Sequence, residues 1–279
     1  MPVVFHADPQ SFLHAARPVA SRSPCSEAFV AIWCAGLARH PPQPGEPCLL
    51  VTADEEGASA IAMQHGRQAL LLENSDPAAA CAIAVALADL GYEVPGVDGT
   101  PAACSAFADV WRRRTGRVPT ERFRLRHHML EDVSAVPVPS GAVRAADERD
   151  FDWLVRANDA FIAESKVPPP LRGTARLVRE RLADARYRLW EDRGIVAFLG
   201  ANLVDGGYAR IGPVYTAREH RGRGYATALV AAASRELIAR GGERVFLTTD
   251  LANPVSNAIY ARVGFRPVHD SVTLDLVAS

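Results

Sequence analysis

The sequence predicts a mixed α/β fold, and three observations carry this prediction. Apolar runs of strand length alternate with helical patterns along most of the 279 residues. One such run, residues 208–214, leads through a glycine-rich loop into a long alanine-rich helical pattern that stops at Gly241. The order of strands and helices in the first half recurs in the second half, which indicates an internal repeat. We therefore expect two domains of similar architecture, each built on a mixed sheet.

The composition is globular, with 48% apolar and 23% charged residues. A net charge of −1 gives no reason to expect nucleic acid or an anionic membrane as a partner. No apolar stretch approaches the roughly 18 residues of a membrane span. Polar residues such as Asp8 interrupt the N-terminal segment, so we expect no signal peptide. These features predict a cytoplasmic protein.

The cysteines and histidines predict no metal site. The five cysteines are odd in number and widely spaced, and most lie among apolar residues. This pattern favours buried, inert thiols over a disulfide framework or a zinc site. The eight histidines show no ligand spacing.

The first half is predicted to contain helical residues 11–39, a proline-rich loop and then an alternation of strands and helices. Strands are expected at 48–53, 58–64, 68–72 and 122–130, and helices at 77–90 and 101–114. Prolines 137 and 139 mark the boundary between the halves. We expect a first domain at 1–136, a linker at 137–142 and a second domain at 143–279.

The second half is predicted to contain strand, two helices, three strands, helix, strand, helix and strand. Two helices are expected at 147–164 and 174–185. A third is expected to follow the phosphate loop described below, and a fourth to follow Asn253. Further strands are expected at 186–191, 194–204, 208–216, 243–250 and 271–277.

The loop Arg221-Gly222-Arg223-Gly224-Tyr225-Ala226 predicts an anion site, because it opens a helix whose first N–H groups have no partners inside the helix. Glycines allow the backbone to approach a ligand, and two arginines suit a diphosphate. The stretch lacks the lysine of the P-loop pattern and the third glycine or alanine of the dinucleotide fingerprint. A tight glycine turn with solvated arginines is the alternative interpretation.

A second block, residues 253–265, predicts a short helix. Asn253 suits the N-cap, Pro254 the first helical position, and Gly264 a left-handed C-terminal end. Ser256 and Tyr260 are four residues apart and therefore share a face of this helix.

Together the two blocks resemble the motifs of the GNAT acyltransferase superfamily. Its coenzyme A loop, Arg/Gln-x-x-Gly-x-Gly/Ala, is met by Arg221, Gly224 and Ala226. Its second block, Asn-x-x-x-x-x-x-Tyr-x-x-x-Gly-Phe, is met from Asn253 to residue 265. The whole chain also resembles predicted bacterial two-domain GNAT proteins and, more distantly, glycine N-acyltransferases. The resemblance implies a GNAT fold, acetyl-CoA as cofactor and acyl transfer to a primary amine by direct attack.

The resemblance also implies which residues contact coenzyme A and its pantetheine arm. They are Val214, Tyr215, Thr216, Arg221, Gly222, Arg223, Gly224, Tyr225, Ala226, Asn253, Ser256 and Tyr260. Backbone N–H groups of 214–216 are expected to be left free where their strand splays from its neighbour, so they could stabilise the oxyanion. Helix capping alone also explains Asn253.

The first half is interpreted as a degenerate GNAT-like domain that does not bind coenzyme A in the same way. Six residues separate Pro101 from Phe107, as they separate Pro254 from Tyr260, but Phe107 has no hydroxyl. The segment at 73–76, in place of the phosphate loop, is acidic and has no arginine. An α/β domain of another kind with a coincidental likeness is the alternative.

Tyr260 is the candidate general acid, because its phenol could hydrogen-bond a developing thiolate and protonate it. A tyrosine that packs under the sheet is the alternative. No base is obvious: Asp250 and Glu164, with a water chain between them, are hypotheses, and solvated charges at element ends would explain both. His220 is expected at the surface.

Two classes of function remain open on these grounds: an N-acetyltransferase, and a sensor that binds acyl-CoA without turnover. The retained tyrosine favours the enzyme. The acceptor is a small-molecule or peptide amine, and residues 166–173 and the helix near Asn158 are expected to line its site. The chain is expected to be a monomer or a homodimer.

Overall fold

The computed structural model of the protein describes residues 1–55, 57–165, 167–170 and 172–278. The predicted loop at 166–173 therefore lies partly outside the described residues. No helix within these ranges is long and apolar enough to cross a membrane.

The described secondary structure repeats itself. The first set of elements is β1 (Val3–Phe5), α1 (Pro9–Ala20), α2 (Pro24–Arg39), β2 (Cys48–Glu55), β3 (Ala58–His65), β4 (Leu70–Leu72), α3 (Pro77–Asp89), β5 (Gly96–Gly99), α4 (Pro101–Thr115) and β6 (Val118–Leu130). The second set is β7 (Ala142–Ala145), α5 (Phe151–Ser165), α6 (Thr174–Ala183), β8 (Tyr187–Glu191), β9 (Ile195–Val204), β10 (Tyr208–Thr216), α7 (Tyr225–Ala239), β11 (Arg244–Asp250), α8 (Pro254–Val263) and β12 (Phe265–Val277). Each set reads strand, two helices, three strands, helix, strand, helix, strand, so the predicted mixed α/β architecture and repeat are confirmed.

Several elements differ from the sequence expectations for local reasons. The helical stretch 11–39 is two helices, because Pro24 begins a new helix after the cap residue Ser23. Strand β5 was missed, since two of its four residues are glycines. A Cβ added to Gly96 would lie 2.6 Å from the carbonyl oxygen of Leu274, so glycine allows this close approach of backbones.

The contacts divide the chain into two compact units. Unit 1 comprises Met1–His127, Thr249–Ala252 and Val268–Ser279, and unit 2 comprises His128–Thr248 and Asn253–Pro267. The end of β12 therefore lies in unit 1, where it pairs antiparallel with β5. The domain boundaries drawn at 136 and 143 stay a prediction.

In unit 1, strands β1, β2, β3, β4 and β5 lie side by side in that order. Alternate residues of β2 face opposite sides, as strand geometry requires. Val51 packs in a core with α3 and α4, and Leu50 packs in a second core with α1 and α2. The sheet is thus covered by helices on both faces.

In unit 2, the strand order is β11, β10, β9, β8, β7, with β10 and β11 parallel and the other neighbours antiparallel. Leu199 of β9 packs in a core with α7 and α8. The adjacent Phe198 packs on the other face with α5 and α6. The helix α7 is thereby held against the sheet, and its N-terminal end is fixed in position.

A buried carboxylate lies at the pairing of β5 with β12. Asp98 accepts hydrogen bonds from the hydroxyls of Thr273 and Ser271. Burial raises the pKa of Asp98 to about 6, although the two hydroxyl hydrogen bonds lower it. An acid whose pKa is raised by folding stabilises the fold while it is protonated, and this contribution is lost as the pH rises through the folded pKa.

We expect Asp98→Asn to become progressively more stable than the wild type as the pH rises from about 4 to about 7, because asparagine never ionises. The gain should reach about 3 kcal/mol in free energy of unfolding. Urea unfolding at several pH values measures it, with the exposed Asp54→Asn as the control. A difference between Asp98→Asn and wild type that stays constant over this range would contradict the assignment.

Candidate functional site

The loop between β10 and α7 leaves an open backbone cradle. Gly222 and Gly224 have φ angles of 78° and 85°, in the left-handed region that favours glycine. A Cβ added to either would meet nothing within 4 Å, so the space beside both residues is open. Gly224 is the N-cap of α7, and no side-chain cap hydrogen bond is made at this helix end within the described residues. The first amides of α7 are therefore available to an anion.

Tyr225 fixes the start of α7. Its ring is buried, and its hydroxyl donates a hydrogen bond to Asp192 Oδ2 at 2.5 Å. Ser140 Oγ donates to the same carboxylate oxygen at 2.6 Å. These two hydrogen bonds hold the pKa of Asp192 below its usual value. The side chain of Tyr225 thus anchors the start of α7, and only the backbone amide of this residue could contact a ligand.

Both arginines of the loop have partners in the structure. Arg221 Nε donates to the Thr216 carbonyl oxygen at 3.0 Å, and its terminal nitrogen donates to Glu164 Oε2 at 2.7 Å. Its guanidinium carbon lies 5.4 Å from the centroid of the Tyr215 ring. Arg223 is exposed and donates to the Glu219 carbonyl oxygen at 3.3 Å.

The strands before and after the loop separate where the sequence predicted a splay. Parallel register pairs join 208–210 of β10 to 244–246 of β11, and a bulge follows between Ile211 and Val214, at the cis Gly212-Pro213 bond. Residues 214–216 stay paired with β9, as 208–211 are, but have no register pair with β11 among the described residues. In the described part of the chain, the buried hydroxyls of Thr216 and Thr248 have no hydrogen-bond partner. The sequence interpretation missed Thr248.

Tyr260 lies on α8 and is 8% exposed. Its ring packs against Phe265 at 6.1 Å and His128 at 6.3 Å between centroids. Burial raises the pKa of Tyr260 to about 12, so the phenol is protonated at neutral pH. Its hydroxyl makes no hydrogen bond to the residues that the structure describes. It is available to an acceptor that enters from outside.

Asn253 caps α8. Its side-chain oxygen accepts a hydrogen bond from the Ser256 amide at 3.0 Å, which is the capping arrangement predicted from the sequence. Asn257 Nδ2 also donates to the Asn253 carbonyl oxygen at 2.8 Å. Capping therefore accounts for Asn253 and for the backbone of Ser256.

The two candidate bases differ in environment. Asp250 is exposed at the end of β11 and accepts a hydrogen bond from the Ala252 amide at 2.8 Å. Glu164 accepts hydrogen bonds from Arg218 at 2.9 Å and Arg221 at 2.7 Å. Burial raises the pKa of Glu164, but these bonds outweigh burial and hold the pKa below its usual value. Since a general base works best with a pKa near the working pH, Glu164 is poorly suited to that role.

The corresponding helix start in unit 1 is preceded by acidic residues that have partners elsewhere in the unit. Glu73 is buried and accepts a hydrogen bond from Ser26 Oγ at 2.7 Å. Asn74 Nδ2 donates to the Val19 carbonyl oxygen at 2.8 Å. Asp76 accepts from the Ser59 amide at 2.8 Å. Phe107 is buried and stacks on Trp111 at 5.5 Å. This end of α3 offers carboxylates where α7 offers arginines, so it is unsuited to phosphate.

Fold and site together define a duplicated α/β protein with an anion cradle in its second half. Residues 147–265 match the sequence model of the acetyltransferase (GNAT) family. This match contains both blocks whose motifs resemble that family.

A curated relative is the uncharacterised N-acetyltransferase YobR of Bacillus subtilis, which is 24% identical over 114 residues. The match covers 40% of this chain and 46% of that protein, so it spans about half the length of the relative.

Solved structures resemble the whole chain in fold. A GCN5-related N-acetyltransferase from Sphaerobacter thermophilus is 18% identical over 98% of this chain and 94% of its own, with a TM-score of 0.65. A tandem GNAT protein from the clavulanic acid biosynthesis pathway is 16% identical over 100% of this chain and 98% of its own, with a TM-score of 0.59. The tandem GNAT fold predicted from the sequence is therefore confirmed.

A glycine ends the helix that carries Tyr260, and we expect Gly264→Ala to destabilise the protein by about 3 kcal/mol or more. Gly264 has a φ of 115°, and an added Cβ would lie 1.9 Å from the Asp132 carbonyl oxygen. The control is Gly116→Ala, at the end of α4, where φ is 75° and nothing lies within 4 Å. That change should cost about 1 kcal/mol. Urea unfolding compares the two variants, and equal losses would contradict the prediction.

Proposed function

We propose that the second half transfers an acyl group from acetyl-CoA to a primary amine by direct attack in a ternary complex. The observation that carries the proposal is the open, glycine-lined start of α7 beside Arg221 and Arg223. Backbone amides and guanidinium groups are the donors that a pyrophosphate requires. The match of residues 147–265 to the GNAT family model supports the same ligand.

The residues present fit the remainder of such a ligand. Past the last register pair of β10 with β11, the strand ends carry polar groups that lack partners among the described residues, including the hydroxyls of Thr216 and Thr248. We propose that residues 214–216 bind the pantetheine arm there and place N–H groups near the thioester carbonyl. The thioester supplies the acyl group and a thiolate leaving group.

Tyr260 is proposed to donate a hydrogen bond to the departing sulfur. With a pKa of about 12, the phenol keeps its proton throughout the working pH range. Complete transfer to a thiolate, whose conjugate acid has a pKa of about 8.5, would be uphill by roughly 5 kcal/mol. Charge stabilisation by a positioned donor therefore fits this residue better than full protonation. The proton of the amine must leave by another route, and Asp250 remains the candidate that the sequence provides.

A sensor that binds acyl-CoA without turnover is the competing function. The uncommitted hydroxyl of Tyr260 favours catalysis, because a site that only binds needs no donor at the sulfur. Turnover with any amine would exclude the sensor. The acceptor is proposed to be a small-molecule or peptide amine.

Calorimetric titration with acetyl-CoA tests the cofactor site. We expect micromolar binding by the wild type and at least a tenfold loss in the double variant Arg221→Glu, Gly224→Glu, because both changes place negative charge where the pyrophosphate binds. The matched control is Arg240→Glu, Gly241→Glu, which makes the same changes at the other end of α7. Failure of the wild type to bind would refute the proposal.

Steady-state kinetics with a screened amine test the tyrosine. We expect Tyr260→Phe to lower kcat by about a hundredfold and to leave the Kd for acetyl-CoA within about twofold, because the donor acts on charge that develops during the reaction. The control Tyr92→Phe also removes a buried hydroxyl, in unit 1, and should not change kcat. An unchanged kcat for Tyr260→Phe would show that the residue only packs.

A further inference from the structure

Glu164 joins the end of α5 to the phosphate loop. Its carboxylate accepts one hydrogen bond from Arg218 Nε at 2.9 Å and another from a terminal nitrogen of Arg221 at 2.7 Å. Arg218 lies in the short 3-10 helix that precedes the loop, and Arg221 is the first residue of the loop motif. One carboxylate therefore neutralises charge on two arginines that precede the glycines of the proposed anion site.

The position of Glu164 opposes the electrostatics of its own helix. It is the penultimate residue of α5, at the helix end that carries partial negative charge. A carboxylate there is unfavourable unless cations compensate for it. The two arginines supply this compensation, and they come from the loop rather than from α5. An acidic residue at this end of α5 thus departs from the usual preference for cations at a helix C-terminus. Such departures are expected at functional positions.

Arg221 contacts three different groups. Its Nε is bound to the Thr216 carbonyl, its face lies on the Tyr215 ring, and its terminal nitrogen is bound to Glu164. The first two contacts orient the guanidinium towards the loop and can persist beside a bound phosphate. In the third contact, the terminal nitrogen donates to a carboxylate, which is an anionic acceptor as a phosphate would be.

We propose that Glu164 is a competing anion, which holds α5 to the phosphate loop until the pyrophosphate of the acyl-CoA displaces it. This inference rests on the proposed function. Glu164 is ionised at neutral pH, so a change of pH in the working range does not release it and a stronger anion must.

Calorimetry with inorganic pyrophosphate and with acetyl-CoA tests the competition. We expect Glu164→Gln to bind both ligands roughly three- to tenfold more tightly than the wild type. The gain is modest because an exposed ion pair is weak and because the repulsion between the Glu164 carboxylate and a nearby anion is of similar size. The matched control is Asp159→Asn, which removes the same charge from an exposed position on α5 with no ion pair in the described chain. The control should bind within about twofold of the wild type.

The outcomes separate this inference from the function on which it rests. If the wild type binds and Glu164→Gln binds equally or less tightly, Glu164 only orients the arginines, and the competition is refuted while the acyl-CoA site stands. An equal gain in Asp159→Asn would also refute the competition, because the effect would then be one of net charge. If neither wild type nor Glu164→Gln binds acetyl-CoA, the proposed function fails.

Discussion

The candidate site depends on how the chain enters α7. Two backbone positions with positive φ, Gly222 and Gly224, turn the chain from β10 into the helix without placing a side chain over its first amides. The helix can be left uncapped because its other contacts hold it: Leu229 and Ala233 are buried in the core of unit 2, and Tyr225 is bound to Asp192. Unpaired amides are unfavourable for a helix alone, and packing offsets this cost. A rigid helix with an open end is the result.

The duplicated architecture shows that the charge around this helix start is a property of the residues and not of the fold. The start of α3 has the same place in the element order as the start of α7, yet Glu73, Asn74 and Asp76 there bind groups that belong to α2, α1 and β3. Carboxylates at a helix start are themselves favourable partners of the dipole. Neither helix start has a side-chain cap hydrogen bond in the described part of the chain, so the two differ in charge: carboxylates lie at the start of α3 and arginines lie at the start of α7.

Local patterns made much of this protein predictable, and contacts over long separations did not. The bounds of β10, the capped start of α8 and its glycine end follow from periodicity and cap chemistry, and the structure has them as expected. The anchor of Tyr225 on Asp192 spans 33 residues and that of Arg221 on Glu164 spans 57, so no spacing rule reveals either. Strand β5 was missed because backbone proximity, which a sequence does not display, selects its glycines.

The last strand, β12, contributes residues to the cores of both units. Phe265, at the start of β12, packs in the core of unit 2, whereas Val272 and Leu276 pack in the core of unit 1. In the other direction, Leu130 at the end of β6 packs in the core of unit 2, and the Ser134 amide donates to the Val263 carbonyl oxygen at the end of α8.

A chain cut at the linker would separate β5 from its antiparallel partner and expose an edge of unpaired backbone groups. The helix that carries Tyr260 would lose its support at the same time. Each unit thus contains chain from the other half of the sequence.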